Sequence, residues 1–74
     1  MPLILYLRED CHLCELALVL LQRERLGDRL GRVDIDSDPL LGIEFGLRIP
    51  VLVRADGRQL DWPFDAPSLR AFLA

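Results

Sequence analysis

The sequence is sparing with residues that mark several protein classes. It has two cysteines, one histidine and no lysine in 74 residues, so all nine basic side chains are arginines. Twelve acidic residues bring the net charge to −3. A chain with that balance lacks the basic patch of a nucleic-acid-binding module. No apolar run approaches the ~20 residues that cross a bilayer as a helix, so no membrane association is expected. Residues 1–7 are apolar, but they have no basic segment ahead of them and run straight into Glu9 and Asp10. They do not read as a signal peptide, and the expected location is cytoplasmic. Repeats, low-complexity tracts and linkers are absent. An apolar content of 51% is too high for a disordered chain. The length suits one domain over residues 1–74, which buries only roughly 60% of the surface of the unfolded chain.

Scarcity of cysteine also excludes a scaffold held by several disulfides, the usual device of small secreted domains. A Cys11–Cys14 bridge closes a very short loop, and the chain-entropy model assigns it at most about 2 kcal/mol. The pair is a poor staple, so its value is chemical.

What is present alternates in type. Leu3–Leu7 is a continuous apolar run suited to a strand buried on both faces. From residue 11 to 26 the pattern is helical, with Leu13, Leu16, Ala17, Leu20 and Leu21 on one face. Leu18 and Val19 widen that face, so cover on more than one side is expected. Gly27 fits the helix stop. Residues 32–36 alternate and predict a strand with Val33 and Ile35 inward, reached through a right-handed crossover. Asp38 and Pro39 are a helix entry, and the short helix stops at Gly46. Residues 49–53 form a third apolar strand, with Pro50 near its start. Asp56-Gly57 signals a hairpin returning through Gln59–Asp61. Trp62-Pro63-Phe64 reads as a core or capping cluster, Asp65 as the N-cap of a last helix, and Leu69, Phe72 and Leu73 as its apolar face. The order β-α-β-α-β-β-α gives an α/β fold with a four-stranded mixed sheet and helices on both faces.

The chemistry concentrates at Cys11-His12-Leu13-Cys14, between the first strand and the first helix. A helix start supplies unpaired N–H groups and partial positive charge, both of which stabilise a thiolate. Cys11, at the entrance, is the expected nucleophile, and Cys14, one turn in and better buried, the expected resolving thiol. Glu9 and Asp10 oppose the thiolate by like charge. Asp10 is a candidate helix N-cap. His12 and Arg8 are each either a support for the thiolate or a solvated surface group. Cys11, His12 and Cys14 are three possible zinc ligands where a structural site takes four. No metal site is expected within one chain, and a site shared between two chains stays open.

These residues resemble the glutaredoxin branch of the thioredoxin-fold superfamily over nearly the whole chain. More specifically, they resemble short bacterial glutaredoxin-like proteins. The likeness rests on the first strand, Arg8, the Cys11-His12-Leu13-Cys14 motif, the V-D-I-D-S-D-P segment at 33–39, R-I-P-V-L at 48–52 and W-P-F-D at 62–65. It implies a thioredoxin-like fold and thiol–disulfide exchange with protein or glutathione disulfides. It also implies no bound cofactor, with glutathione as a reductant or co-substrate, and a monomer. It makes Pro50 a cis-proline facing the dithiol, and the Ile49 backbone a partner for an extended substrate. It places Arg8 against a glutathione carboxylate and Asp65 at the other end of that ligand. The sequence departs from the glutathione-active branch at His12 and Leu13, which stand where proline and tyrosine are usual. It departs again at residues 61–64, where a glycine pair is usual. A second reading keeps the fold and drops the chemistry: a binding module that docks a partner through the groove at Pro50.

Overall fold

The computed structural model describes residues 2–74. Three helices flank a four-stranded mixed sheet. The strands are β1 (Leu3–Leu7), β2 (Leu30–Asp34), β3 (Val51–Arg54) and β4 (Gln59–Asp61), and the helices α1 (His12–Arg23), α2 (Pro39–Phe45) and α3 (Ala66–Leu73). Strand order across the sheet is β2-β1-β3-β4. β1 runs parallel to β2, from Leu3 beside Leu30 to Leu7 beside Asp34. It runs antiparallel to β3, with Tyr6 opposite Val51, and β3 pairs antiparallel with β4, with Val51 opposite Asp61. This is the thioredoxin-like order expected from the sequence.

Alternation along the strands divides the core in two. Leu3, Leu5 and Leu52 face α1 and α3 and meet Ala17, Leu21, Leu26, Phe64 and Leu69. Val51 and the half-buried Tyr6 face the other way, toward Ile35 and Phe45. The Tyr6 and Phe45 rings stack at 4.3 Å there. Both faces of the sheet are therefore covered, as parallel pairing requires.

Several boundaries differ from the sequence reading. α1 buries Cys14, Ala17 and Leu21, while Leu13, Leu16 and Val19 stay 43–46% exposed. Cys14 completes the buried stripe at i, i+3 and i+7, and this turns the helix away from a leucine-only face. α1 ends at Arg23, short of Leu26. Arg25 takes the left-handed conformation (φ 62°) that ends the helix, and Gly27 opens a 3₁₀ turn instead. β2 begins and ends two residues earlier than expected. The Asp34 carboxylate accepts the Asp36 N–H at 2.8 Å, and this local turn bends the chain out of the strand. Ile35 is buried all the same, from a 3₁₀ turn rather than from a strand. β3 starts at Val51, after Ile49 and Pro50 rather than at Ile49.

Other signals hold. Asp38 caps α2 through the Leu40 N–H. Gly57 adopts the positive φ of the hairpin turn. Asp65 caps α3 in a reciprocal box with Ser68. Trp62 and Phe64 meet edge to face at 5.0 Å and pack inward as a capping cluster.

Candidate active site

Topology gathers the sequence-predicted residues at one end of the sheet. The parallel strands β1 and β2 finish there, β3 begins there, and β4 finishes there before α3. Arg8 follows β1, and the loop 8–11 leads into α1. The antiparallel register ends with Tyr6 opposite Val51, so Pro50 leads into β3 at the end where β1 finishes. The Trp62 N–H donates to the Pro50 carbonyl at 3.1 Å, which joins the start of α3 to the same end.

Cys11 and Cys14 are joined as a disulfide, with Cα atoms 5.2 Å apart. Asp10 takes a left-handed φ of 55°, and Cys11 becomes the N-cap of α1. This corrects the expected cap. Asp10 is spent on the turn, a conformation aspartate tolerates better than most residues. The Cys14 N–H then donates to Cys11 Sγ at 3.2 Å, and the Glu15 N–H to the Cys11 carbonyl at 3.1 Å. The N-cap sulfur thus receives a helix-start N–H that elsewhere an aspartate or serine oxygen would take. Cys11 is half-buried and Cys14 is 2% exposed. One sulfur meets solvent while the other lies beneath it, the asymmetry a nucleophile and a resolving thiol need.

Surrounding residues take clear positions. Arg8 Nε donates to both carboxylate oxygens of Asp36, at 3.2 and 3.1 Å. No local signal links residues 28 apart, and the sequence reading missed this pair. His12 is exposed and turns toward Glu15, 4.0 Å away. The Ile49–Pro50 peptide is cis, as the resemblance implies, and Pro50 is fully buried. The Trp62–Pro63 peptide is also cis. The Asp65 carboxylate accepts the Ser68 N–H at 2.9 Å, and the Ser68 hydroxyl accepts the Asp65 N–H at 2.9 Å. The Ser68 backbone N–H, then its side chain, holds the Asp65 carboxyl below the usual carboxylate range. An open groove of about 350 Å³ lies beside it, lined by Pro63, Phe64, Asp65 and Ser68.

A second unforeseen ion pair braces the sheet edge. Arg48 donates to Asp61 at 3.0 and 2.8 Å and lies over the Phe45 ring. Hydrogen bonding from Arg48 holds the Asp61 carboxyl low. Among the described residues, no three His, Cys, Asp or Glu side chains come together in a way that could hold a metal ion.

The fold agrees with what known proteins show. Residues 2–74 match the family described as "Glutaredoxin-like domain (DUF836)". The chain belongs to this family. Its fold is also that of solved structures. The crystal structure of target protein XcR50 from X. campestris is 54% identical, with a TM-score of 0.88, over 96% of this chain and 93% of that one. The solution structure of XcR50 gives 53% identity and a TM-score of 0.87, over 99% and 92%. Protein Ne2328 from Nitrosomonas europaea is 28% identical, with a TM-score of 0.75, over 99% and 91%. No curated protein matches the chain. A glutaredoxin-like domain with a close, disulfide-forming cysteine pair is consistent with thiol–disulfide chemistry. No helix of the described residues is long and apolar enough to cross a membrane.

Proposed function

We propose that this chain is a thiol–disulfide oxidoreductase that exchanges its Cys11–Cys14 pair with disulfides of proteins or of glutathione, as a monomer in the cytoplasm. The observation that carries this reading is the half-buried Cys11 sulfur at the N-cap of α1, bridged to the buried Cys14 and hydrogen-bonded by its N–H.

In the reduced protein, the Cys11 thiolate attacks one sulfur of a substrate disulfide. The substrate S–S bond breaks as the new S–S bond forms, and the leaving sulfur takes the electron pair and then a proton. Cys14, as thiolate, attacks Cys11 Sγ, closes the internal disulfide and releases the second substrate thiol. The substrate gains two electrons, and the Cys11–Cys14 pair is oxidised. A thiol donor such as glutathione, or a reductase, returns the protein to the dithiol. The Ile49 backbone beside Pro50 supports an extended substrate chain at the sheet end. Arg8, His12 and Asp65 form the rim.

Variants at each sulfur test this. Cys11→Ser abolishes reduction of an insulin or glutathione disulfide. Cys14→Ser retains the first step and accumulates a mixed disulfide, read as a mass increase that a reductant reverses. Full reduction by the Cys11→Ser variant would refute the assignment.

A further inference from the structure

We propose that the preferred substrate of this site is a disulfide within a polypeptide whose flanks carry cationic and aliphatic side chains, and that Glu9 and Asp10 select against anionic disulfides such as that of glutathione. The proposal rests on the thiol–disulfide reading above and concerns which disulfide enters.

Charge at the rim is the first observation. Residues 8–15 hold Arg8, Glu9, Asp10, His12 and Glu15 beside the two cysteines. Arg8 is already engaged by both oxygens of Asp36, so its charge is neutralised where a substrate carboxylate would meet it. Glu9 and Asp10 are exposed, and among the described residues their side chains have no hydrogen-bond or ion-pair partner. Two carboxylates without a partner thus immediately precede the nucleophile along the chain. Glutathione disulfide carries more carboxylates than ammonium groups, so it meets a rim of its own sign.

The start of α3 adds a second observation. Its Ser68 N–H, a natural donor to a ligand carboxylate, is already taken by the Asp65 side chain. This end of the helix presents its own anion and leaves that donor filled. The groove beside it has Pro63 and Phe64 as apolar wall and Asp65 as charge. That lining suits an aliphatic stem with a cationic head, as in arginine or lysine.

Apolar exposure on α1 is the third. Leu13 and Leu16 are 46% and 43% exposed, one turn apart, starting within the cysteine motif. They offer aliphatic contact to a polypeptide chain and little to a small polar tripeptide.

The test uses the full chain, reduced with a small dithiol and freed of it. It is mixed with glutathione disulfide or with one of two synthetic peptides, each holding one disulfide flanked by Arg-Leu or by Glu-Leu. Acid-quenched thiol trapping follows oxidation of the Cys11–Cys14 pair. Each rate is divided by that of the same disulfide with a small neutral thiol. Two carboxylates that repel an anionic flank and attract a cationic one, taken at a separation of about 7 Å in water, predict an advantage of about tenfold to fiftyfold for the Arg-Leu peptide over both anionic disulfides at low salt. High salt shrinks the ratio, and the Glu9→Gln/Asp10→Asn variant lowers it to about threefold or less. Equal or faster reaction of glutathione disulfide or of the Glu-Leu peptide at low salt overturns the proposal, as does an advantage that survives the double variant unchanged. No reaction with any of the three disulfides overturns the thiol–disulfide reading, and this proposal with it.

Discussion

Reactivity of Cys11 offers the most direct quantitative check. In a Cys14→Ser variant the Cys11 thiol is unpaired, and the N–H of residue 14 still faces it across the 3.2 Å seen in the oxidised pair. A hydrogen bond to a charged acceptor is worth about 1.5–3 kcal/mol. Glu9 and Asp10 oppose it, each by roughly 0.5 kcal/mol at about 7 Å in water. The balance favours thiolate by about 0.5–2 kcal/mol, roughly 2- to 30-fold in the thiolate-to-thiol ratio. An ordinary thiol is only a few per cent ionised at neutral pH, so the thiolate fraction rises to between about a twentieth and a half. Iodoacetamide alkylation at neutral pH should run about twofold to tenfold faster than with an unstructured cysteine peptide. Its pH profile should turn below the range of a free thiol, with reactivity lost as pH falls through the folded value. Removing the opposing charges with Glu9→Gln/Asp10→Asn moves the turn lower still. A turning point at or above that of the free peptide, with no rate advantage, would refute the N-cap argument.

Further outcomes follow from the packing and the caps. Asp65→Ala removes the carboxylate that accepts the Ser68 N–H, leaves the bond from the residue-65 N–H to the Ser68 hydroxyl, and lowers the melting temperature. Because the Asp65 carboxyl is held low in the folded state, its contribution is present above the unfolded carboxylate value and is lost as pH falls through the folded one. Melting curves of the variant and the parent should therefore converge in acid, and a constant gap would contradict the assignment. Leu69→Ala opens a cavity under α3 at a fully buried site and costs about 2–5 kcal/mol by urea unfolding. That is a large share of the ~4–11 kcal/mol available to a chain of this length. A cost under about 1 kcal/mol would mean that α3 is not docked as described. Ile43→Ser, on the outer face of α2 at 83% exposure, should change stability by no more than about 0.5 kcal/mol. A larger loss would show that this face is packed.

Much of the fold was legible because its signals are short in range. Asp38-Pro39 and Asp65 announce helix entries through bonds spanning two or three residues. Asp56-Gly57 marks the hairpin for the same reason. The cysteine pair was legible as well, since both sulfurs and the helix start they cap lie within four residues. Errors arose where equally local alternatives competed. Asp10 and Cys11 were both eligible to cap α1, and the left-handed turn at Asp10 decided for the sulfur. The alternation at 32–36 suggested a strand, and the Asp34 side chain ended it early.

Sequence alone thus determined the element order, the place of the cysteine pair at a helix start and the caps of α2 and α3, all set by interactions between residues close along the chain. Only the tertiary structure decided that Arg8 meets Asp36, that Arg48 meets Asp61, and that Pro50 enters β3 at the sheet end where β1 leads to the disulfide. It also decided which stripe of α1 is buried, leaving Leu13 and Leu16 exposed at the start of the helix that carries the cysteine pair. Those facts depend on strand register and on how two crossovers stack helices on opposite faces. Charge neutralisation at Arg8, and with it the sign of the rim that a substrate meets, is a product of that stacking.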